Sequence, residues 1–289
     1  MTSLRDALLK VLFGPVGRLL PFAACRHIAR PIAAIAWRAG FRRAITMRNL
    51  ELAFPTLTVD QRERIGRASL VSLVTVFLEI LTLRHLSRRE IRRWLVVENL
   101  ELLTRIGPAG GLLLSGHVGN WELLALGAAD IAGIPFAVVV KEQRDGRQLE
   151  RTRTARGNRL IPTGRGARES SALLRSGGVV AMLADQSASE GEHAALLFDT
   201  PTWTYSAPSR LALRFRPTVI VGFAVRESGG RYRVVLEELH HHDLPDTPEG
   251  AEALTARYVS MLERTVREHP EQWVWQHRKW KNTPGVRYD

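Results

Sequence analysis

Short apolar runs alternate with amphipathic stretches along most of the chain after residue 110. The runs predict strands, because each is brief and bounded by glycine, proline or charged residues, at 111–115, 136–140, 159–162, 179–183, 218–225 and 231–236. Helical periodicity occupies the intervals, at 120–132, 146–156, 167–175, 206–215 and 249–269. This alternation predicts an α/β fold in which helices flank one mixed central sheet.

The first hundred residues carry a helical pattern instead. Thr58 or Asp60 is placed to cap a long helix that reaches Leu83 and is apolar nearly all round in its second half. We therefore expect residues 1–100 to form an N-terminal helical, membrane-associating region. It would pack as a layer on an α/β core of residues 101–289.

Residues 8–41 are strongly apolar but interrupted by arginines and prolines, namely Arg18, Arg26, Arg30, Arg38, Pro15, Pro21 and Pro31. No uninterrupted run of ~18 to 20 apolar residues remains, as a membrane-spanning helix requires. The pattern indicates a segment that lies in the membrane interface, with its arginines toward anionic headgroups. Ordinary helices that cap the core are the alternative.

The charge balance favours a polyanionic partner. The chain has 41 Lys and Arg against 29 Asp and Glu, a net charge of +12, which suits nucleic acid, an anionic membrane or an acidic carrier protein. Cys25 is the sole cysteine, so an intrachain disulfide is excluded. No metal site is expected at the run from His240 to His242, because consecutive side chains point in different directions.

The stretch LLLSGHVGNWELL, residues 112–124, joins a predicted strand to a predicted helix. His117 follows the carboxyl end of the strand, where open α/β sheets bind ligands, and Glu122 lies in the first helical turn. We expect Glu122 to hydrogen-bond one imidazole nitrogen so that the other acts as a general base. The chain has no G-x-S-x-G motif and Cys25 lies in an unrelated segment, so the activated hydroxyl belongs to the substrate. On spacing alone, a surface histidine beside an unrelated glutamate is the simpler alternative.

The residues around this pair carry a family resemblance. SGHVGNWELL resembles the H-x4-D/E block of membrane glycerolipid-type acyltransferases, and its GNWE core resembles the bacterial lipid A biosynthesis lauroyl/myristoyl acyltransferases. Three further blocks are similar to that family in order and spacing: RNLELAFP at 48–55, LRSGGVVAMLADQS at 174–187 and HPEQWVWQHRKWK at 269–281. The block at 197–212 departs from it, with Asp199 and Ala207 where glycine is more usual, and the usual single N-terminal anchor helix is missing.

The resemblance implies a role for several residues near the strand ends. His117 would remove the proton from an acceptor hydroxyl as it attacks an acyl thioester, with Glu122 orienting the imidazole. Asn120 would cap the helix or steady the loop beside the substrate. Either Arg153 or Arg156 would hold a phosphate or carrier group.

A second set of residues follows the predicted strand 179–183. Asp185 and Gln186 would position the acceptor or support the His117 loop, and Glu190 and Glu192 would line the cleft. For the three C-terminal tryptophans, the resemblance favours closure of the domain or a place at the membrane interface: Trp273, Trp275 and Trp280.

The implied reaction is transfer of a fatty acyl group from acyl carrier protein or acyl-CoA, with no further cofactor, to a lipid A precursor-like glycolipid. Related phosphatidylinositol mannoside acyltransferases share the layout, so such a glycolipid is the alternative acceptor. The expected location is the cytoplasmic face of the inner membrane, peripheral or monotopic, with no nucleic-acid partner and the oligomeric state open. A non-catalytic basic binder of anionic membranes and a thioesterase or lipase are the competing functions.

Overall fold

Helices dominate the N-terminal third of the protein. The computed structural model describes residues 4–106, 110–141 and 146–288. The first helices are α1 Leu4–Val11, α2 Gly17–Leu19, α3 Cys25–Arg38, α4 Arg43–Ala53, α5 Val59–Leu83 and α6 Arg88–Trp94. Thr58 caps α5: its hydroxyl accepts from the backbone N–H of Gln61, whose side chain accepts from the Thr58 N–H in return. Of the two predicted caps, Thr58 is therefore the one that the helix uses.

Helix α3 packs against α5 along one stripe. Cys25, Ala29, Ala33 and Trp37 recur every four residues, which places them on one face, and all four are buried. A Cβ at Gly66 of α5 would lie 2.7 Å from the Trp37 ring, so glycine allows the close approach. The long helix is thereby fastened to the N-terminal segment.

The outer surface of the N-terminal segment is both apolar and cationic. Leu19 is 80% exposed and Ile35 67% exposed, and Arg18, Arg30 and Arg38 are exposed as well. By length and composition, α5 is apolar enough to cross a membrane, although half of its most apolar window is buried inside the protein. The segments Leu8–Leu19 and Phe22–Arg38 meet the same criterion together, but they are bent by 105° at their junction.

Beyond Trp94 the chain alternates between strands and helices. The strands are β1 Leu95–Glu98, β2 Gly111–Ser115, β3 Phe136–Val140, β4 Arg159–Pro162, β5 Val179–Leu183, β6 His193–Leu197, β7 Thr200–Thr204, β8 Thr218–Val221, β9 Val225–Arg226, β10 Tyr232–Val235 and β11 Glu237–Glu238. The helices are α7 Glu101–Thr104, α8 Trp121–Ala132, α9 Arg147–Thr154, α10 Gly166–Arg175, α11 Ala207–Phe215 and α12 Pro248–Glu268.

The described residues form a six-stranded central sheet in the order β11-β8-β2-β5-β3-β4. All neighbouring pairs are parallel except β11 with β8. Leu113 of β2 lies opposite Ala181 of β5 and Ile220 of β8, so the carboxyl ends of these strands meet at one edge. The predicted α/β fold with a mixed central sheet is confirmed.

The bounds of β2, β3, β4 and β5 agree with the predicted ranges. The single strand predicted at 218–225 is wrong: β8 pairs with β2 in the central sheet, whereas β9 pairs with β10 in a separate sheet with β1. Strand β8 is largely buried and both residues of β9 are half-buried, so the continuous apolar run gives no sign that the chain passes from one sheet to the other. Strand β1 lies within the region predicted to be helical and pairs in parallel with β10.

The hairpin β6–β7 was not predicted at all. In β6 the side chains alternate between buried and exposed, but the exposed positions are Ala194 and Leu196, so no polar alternation marks the strand. The turn places Phe198 and Asp199 at positive φ, 52° and 56°, without a glycine. The pattern of apolar residues therefore gives no strand signal here.

Helices cover both faces of the central sheet. Leu113 and Ala181 pack in one cluster with α8 residues such as Leu124. Leu114 and Met182, their chain neighbours, pack in a second cluster with residues of α10, α11 and α12. The edge where β2 and β5 end lies between these two layers.

Candidate functional site

His117 lies in the tight turn from β2 to α8, at the carboxyl edge of the central sheet. Gly119 has a φ of +56°, and a Cβ there would lie 1.7 Å from the carbonyl oxygen of Ala224. Glycine is therefore required both by conformation and by space. The N–H of Gly119 donates to the Gln272 carbonyl at 2.9 Å, and that of Asn120 donates to the Ala224 carbonyl at 3.1 Å. These bonds fix the turn from two sides.

Asp185, just after β5, holds both the backbone and the ring of His117. Its Oδ2 accepts from the backbone N–H of His117 at 2.7 Å, and its Oδ1 lies 2.7 Å from Nδ1. The Oδ2 atom also accepts from Nε1 of Trp273 at 2.9 Å. Because an ionised carboxylate only accepts, Nδ1 carries the proton and Nε2 is left as the basic nitrogen.

The predicted hydrogen bond from Glu122 to the imidazole is therefore wrong. Among the described residues, the carboxylate bonded to His117 is Asp185. Glu122 instead forms an ion pair with the guanidinium of Arg153. Nε of Arg153 donates to Oε2 at 2.8 Å, and Nη2 donates to Oε1. The first turn of α8 directs Glu122 toward α9, so nearness in sequence to His117 does not become contact.

Charge and burial act in opposite directions on this pair. Burial alone would lower the pKa of His117, but the charge and hydrogen bond of Asp185, with a smaller contribution from Glu122, outweigh it and raise that pKa. Burial would raise the pKa of Asp185, but its contacts with His117 and Trp273 bring the pKa well below its ordinary range. The carboxylate is thus ionised beside an imidazole of increased basicity.

Trp121 and Gln186 complete the surroundings of the imidazole. The ring centroids of His117 and Trp121 are 4.8 Å apart, in a tilted arrangement. Nε2 of Gln186 lies 3.3 Å from Nε2 of His117, so the amide can donate to the basic nitrogen. The His117 side chain is 18% exposed, which leaves it reachable from the adjoining cavity.

The C-terminal segment braces Asp185 from behind. Trp273 donates to Asp185, and its own carbonyl accepts from the hydroxyl of Ser69 at 2.7 Å. The amide of Asn49 donates to the carbonyls of Trp275 and His277, both at 2.7 Å. The early block RNLELAFP and the late block HPEQWVWQHRKWK are therefore in contact.

The tryptophans of this segment are buried, with Trp273 at 3% exposure and both Trp275 and Trp280 at 0%. Of the two sequence alternatives, closure of the domain is right and a place at the membrane interface is wrong. Burial also lowers the pKa of His277 to about 4 and that of Lys279 to about 8. His277 is therefore neutral near pH 7, whereas Lys279 remains mostly protonated.

A cavity of about 710 Å³ lies beside His117. Its polar lining includes His117, Glu122, Arg153 and Gln186, and most of the remaining lining is aliphatic or aromatic. Adjacent strand residues line it together, Leu113 with Leu114 and Ala181 with Met182. Because such neighbours point to opposite faces of a sheet, the cavity extends onto both faces.

One part of the cavity runs toward the amino ends of the strands. Phe136 at the start of β3 and Leu103 of α7 line it, and both side chains are buried. A polar mouth at the carboxyl edge therefore leads into an apolar interior. This form suits an alkyl chain whose reactive head lies at His117.

The other predicted site residues divide between the cavity and its surroundings. Arg153 lines the cavity, whereas Arg156 donates to the carbonyl of Leu86. The structure therefore distinguishes the two arginines, which their positions in the sequence could not: Arg153 is at the cavity and Arg156 is not. Of the roles considered for Asp185, the structure shows support of the His117 loop.

Like Arg156 and Asp185, three further predicted residues are not part of the cavity lining in the described structure. Asn120 is fully buried, and its Oδ1 accepts from the Leu123 N–H at 2.8 Å, so it caps α8 and does not face substrate. Glu192 accepts from the Ser206 N–H at 2.9 Å, and Glu190 is exposed at the surface. The expectation that Glu190 and Glu192 line the cleft is wrong.

Trp121 and Trp273 are site residues that sequence reasoning missed. A buried indole N–H needs an acceptor, which could have directed attention to a carboxylate, but the sequence does not say which one. Within the described part of the chain, no group of three or more His, Cys, Asp or Glu side chains could hold a metal ion.

No curated protein matches the chain. The sequence model of the family described as bacterial lipid A biosynthesis acyltransferase matches residues 3–282, nearly the whole chain. The match contains His117, Asp185, Arg153 and the bracing C-terminal segment. The chain therefore belongs to the bacterial lipid A biosynthesis acyltransferase family.

Proposed function

We propose that this protein transfers a fatty acyl group from an acyl thioester to a hydroxyl of a lipid A precursor-like glycolipid, with His117 as the general base. Family membership gives lipid A-type acyltransferase activity. The thioester donor, the acceptor and the residue roles are the proposal. The observation that carries it is a histidine with Nδ1 bound to Asp185, at the mouth of an apolar cavity.

The chemistry follows from the protonation of the ring. Nε2 of His117 removes the proton of the acceptor hydroxyl while the hydroxyl oxygen attacks the thioester carbonyl carbon. The carbon–sulfur bond then breaks, and the departing thiolate takes the proton from the imidazolium. Asp185 compensates the imidazolium charge at 2.7 Å. General-base assistance of this kind is worth ~10²- to 10⁴-fold in rate.

Arg153 is proposed to bind an anionic oxygen of the acceptor or of the donor's carrier. Its planar guanidinium suits phosphate, and Glu122 holds it at the cavity through two hydrogen bonds. In this account Glu122 acts on Arg153 and not on the imidazole. The 18% exposure of the Arg153 side chain leaves part of it open to a ligand.

The cavity has room for the acyl chain. At ~30 Å³ per methylene, close to the volume of a liquid water molecule, a lauroyl or myristoyl chain needs roughly 400 Å³. The cavity of about 710 Å³ exceeds that requirement. Each buried methylene stabilises the complex by ~0.8 kcal/mol, so chain binding is a large part of donor affinity.

Acyl carrier protein and acyl-CoA are both anionic donors that suit the net charge of +12. No further cofactor is proposed. We assign residues 1–100 to membrane association and 101–289 to catalysis, at the cytoplasmic face of the inner membrane and in a peripheral or monotopic mode. The exposed Leu19 and Ile35 with exposed Arg18 and Arg30 support this assignment.

The test is acceptor-dependent acyl transfer by purified protein. Lauroyl-CoA and a lipid A precursor are incubated with wild type, His117→Ala and His240→Ala, and glycolipid masses are measured. We expect a gain of one acyl unit with wild type and with His240→Ala, whose histidine is exposed at the surface. His117→Ala should be slower by at least ~10²-fold.

The same assay separates the alternatives. Transfer to a phosphatidylinositol mannoside but not to the lipid A precursor would name the other acceptor. Free fatty acid without acylated product would identify a thioesterase or lipase. Full activity of His117→Ala would refute the mechanism, and membrane binding without any turnover would indicate a non-catalytic binder.

A further inference from the structure

Helix α5 carries a buried carboxylate in its apolar half. Glu79 is 3% exposed, between buried neighbours such as Val76 and Ile80. Burying a carboxylate costs several kcal/mol unless donors surround it, so its partners are informative.

Three donors converge on one oxygen of Glu79. Its Oε2 accepts from Nδ2 of Asn120 at 2.7 Å and from the hydroxyl of Tyr232 at 2.5 Å, and it lies 3.6 Å from Nη2 of Arg226. Burial raises the pKa of Glu79, and the charge of Arg226 with the bonds from Tyr232 and Asn120 opposes that rise. Arg226 also donates to Tyr232 and to Ser72.

The contact with Asn120 is directional. A side-chain amide has one accepting and one donating end, and here Oδ1 accepts from the Leu123 N–H while Nδ2 donates to Glu79. An acceptor at Glu79 therefore keeps Oδ1 turned toward the start of α8. If the amide reversed, two oxygens would face each other and the helix would lose its cap.

The first turn of α8 carries two residues of the site. Trp121 lies against the His117 ring, and Glu122 holds Arg153 at the cavity. His117 itself is three residues before Asn120 in the same turn. A change in how Asn120 caps the helix would therefore displace His117, Trp121 and Arg153 together.

We infer that Glu79 is a positioning residue, which acts through Asn120 to hold the His117 turn and the start of α8 in their working geometry. The kinetic measurements that test this role rest on the proposed acyl transfer. The titration of His117, described below, does not.

Two substitutions separate the accepting oxygen from the charge. Glu79→Met and Glu79→Gln both remove the negative charge beside Arg226, so both should lower the melting temperature. Only the glutamine keeps an oxygen for Asn120. We expect Glu79→Met to lower kcat by ~10- to 100-fold, the scale of a small displacement in an active site, with a smaller change in KM. Glu79→Gln should retain most of kcat.

A pair of substitutions that exchanges the donor and the acceptor between positions 79 and 120 provides the second comparison. Asn120→Asp keeps a cap for Leu123 but sets two carboxylates against each other, so kcat should fall. In the double variant Glu79→Gln with Asn120→Asp, the glutamine amide can donate to the new carboxylate. The double variant should recover at least ~10-fold over Asn120→Asp if that contact positions the turn.

The readout that does not need turnover is the titration of the His117 ring, followed by NMR of histidine-labelled protein and assigned by the signal lost in His117→Ala. In Glu79→Met the pKa of His117 should move down, because the turn loosens its bonds to Asp185. Val76→Ala, a cavity-forming change on the same helix, controls for stability loss and should leave the titration unchanged.

The outcomes are distinguishable. An unchanged His117 titration in folded Glu79→Met overturns the positioning role whether or not acyl transfer is the activity. Equal kcat losses in Glu79→Met and Glu79→Gln, or the same loss in Val76→Ala, would also overturn it. A shifted titration in a protein with no transfer activity would retain the positioning role and count against the proposed function alone.

Discussion

Replacement of Asp185 by asparagine tests which ring nitrogen of His117 carries the proton. In the structure Oδ2 accepts two hydrogen bonds, from the His117 N–H and from Trp273, whereas Oδ1 faces Nδ1 alone at 2.7 Å. The asparagine carbonyl will therefore occupy the place with two donors, and its NH₂ will face Nδ1. Because that NH₂ only donates, Nδ1 must accept, and the ring proton moves to Nε2.

The expected loss is large because two contributions disappear together. The nitrogen that should act as base is protonated, and the imidazolium formed in the reaction loses its compensating charge. Loss of a general base costs ~10²- to 10⁴-fold, and the equivalent substitution in a serine protease triad lowers kcat about 10⁴-fold for the same tautomeric reason. We expect kcat of Asp185→Asn to fall by at least ~10³-fold.

The pH dependence gives a second, independent measurement. Since Asp185 raises the pKa of His117, wild-type kcat/KM should increase with pH as the ring loses its proton, with a midpoint above the ordinary ~6.5. Without that charge, burial dominates and the midpoint should move to lower pH. The acylation assay is run from acid to alkaline pH for both proteins, with the exposed Asp243→Asn as the matched control.

A folding control accompanies it. Asp185 has a lowered pKa in the folded state, so it contributes stability above its unfolded pKa of about 3.9 and loses it as the pH falls. The melting-temperature difference between wild type and Asp185→Asn should therefore shrink once the pH falls below about 3.9. A folded Asp185→Asn protein with wild-type kcat and an unmoved pH midpoint would refute the reasoning.

The remaining predictions concern the arginine, the cavity and the membrane. Glu122→Gln should raise KM for the anionic substrate by about tenfold while changing kcat less, since Arg153 loses a charge-assisted hydrogen bond; an unchanged KM in steady-state kinetics would remove Glu122 from substrate binding. Ala128→Leu, which narrows the cavity beside α8, should shift preference toward shorter acyl chains in a panel of acyl-CoA donors, and an unaltered profile would place the chain elsewhere. Binding to anionic vesicles should weaken as salt is added. Replacement of four arginines by glutamine should cost ~1 kcal/mol of that binding per residue and leave binding to neutral vesicles nearly unchanged: Arg18, Arg26, Arg30 and Arg38. Retention of the protein on membranes through both high salt and carbonate would contradict the interfacial mode.

The strands around the site could be predicted because glycine, proline or charged residues bound each apolar run. Strands β2 and β5 have the predicted ranges, and a residue of the candidate site lies just beyond the end of each, His117 after β2 and Asp185 after β5. Those two residues could be expected at one sheet edge, since parallel strands end together. The sequence does not show that β2 and β5 are direct neighbours in the sheet.

The assignment of the carboxylate failed for a related reason. Glu122 is five residues from His117, and nearness along the chain made it the natural partner. The helix that begins at Trp121 turns its carboxylate to Arg153, whereas Asp185 reaches the ring from 68 residues away. Hydrogen-bond direction depends on where the helix starts, and a spacing motif does not encode that.

The cavity has a practical consequence for handling the protein. Under the proposed function the apolar interior takes an acyl chain, and it would not distinguish that chain from the alkyl tail of a detergent, since burial of methylenes is non-directional. Detergent monomers used for extraction will therefore compete with donor. The measured Michaelis constant then depends on tail length and on detergent concentration, even when no protein residue has changed. Tails too bulky to pass His117 and Trp121 at the mouth should disturb the kinetics least.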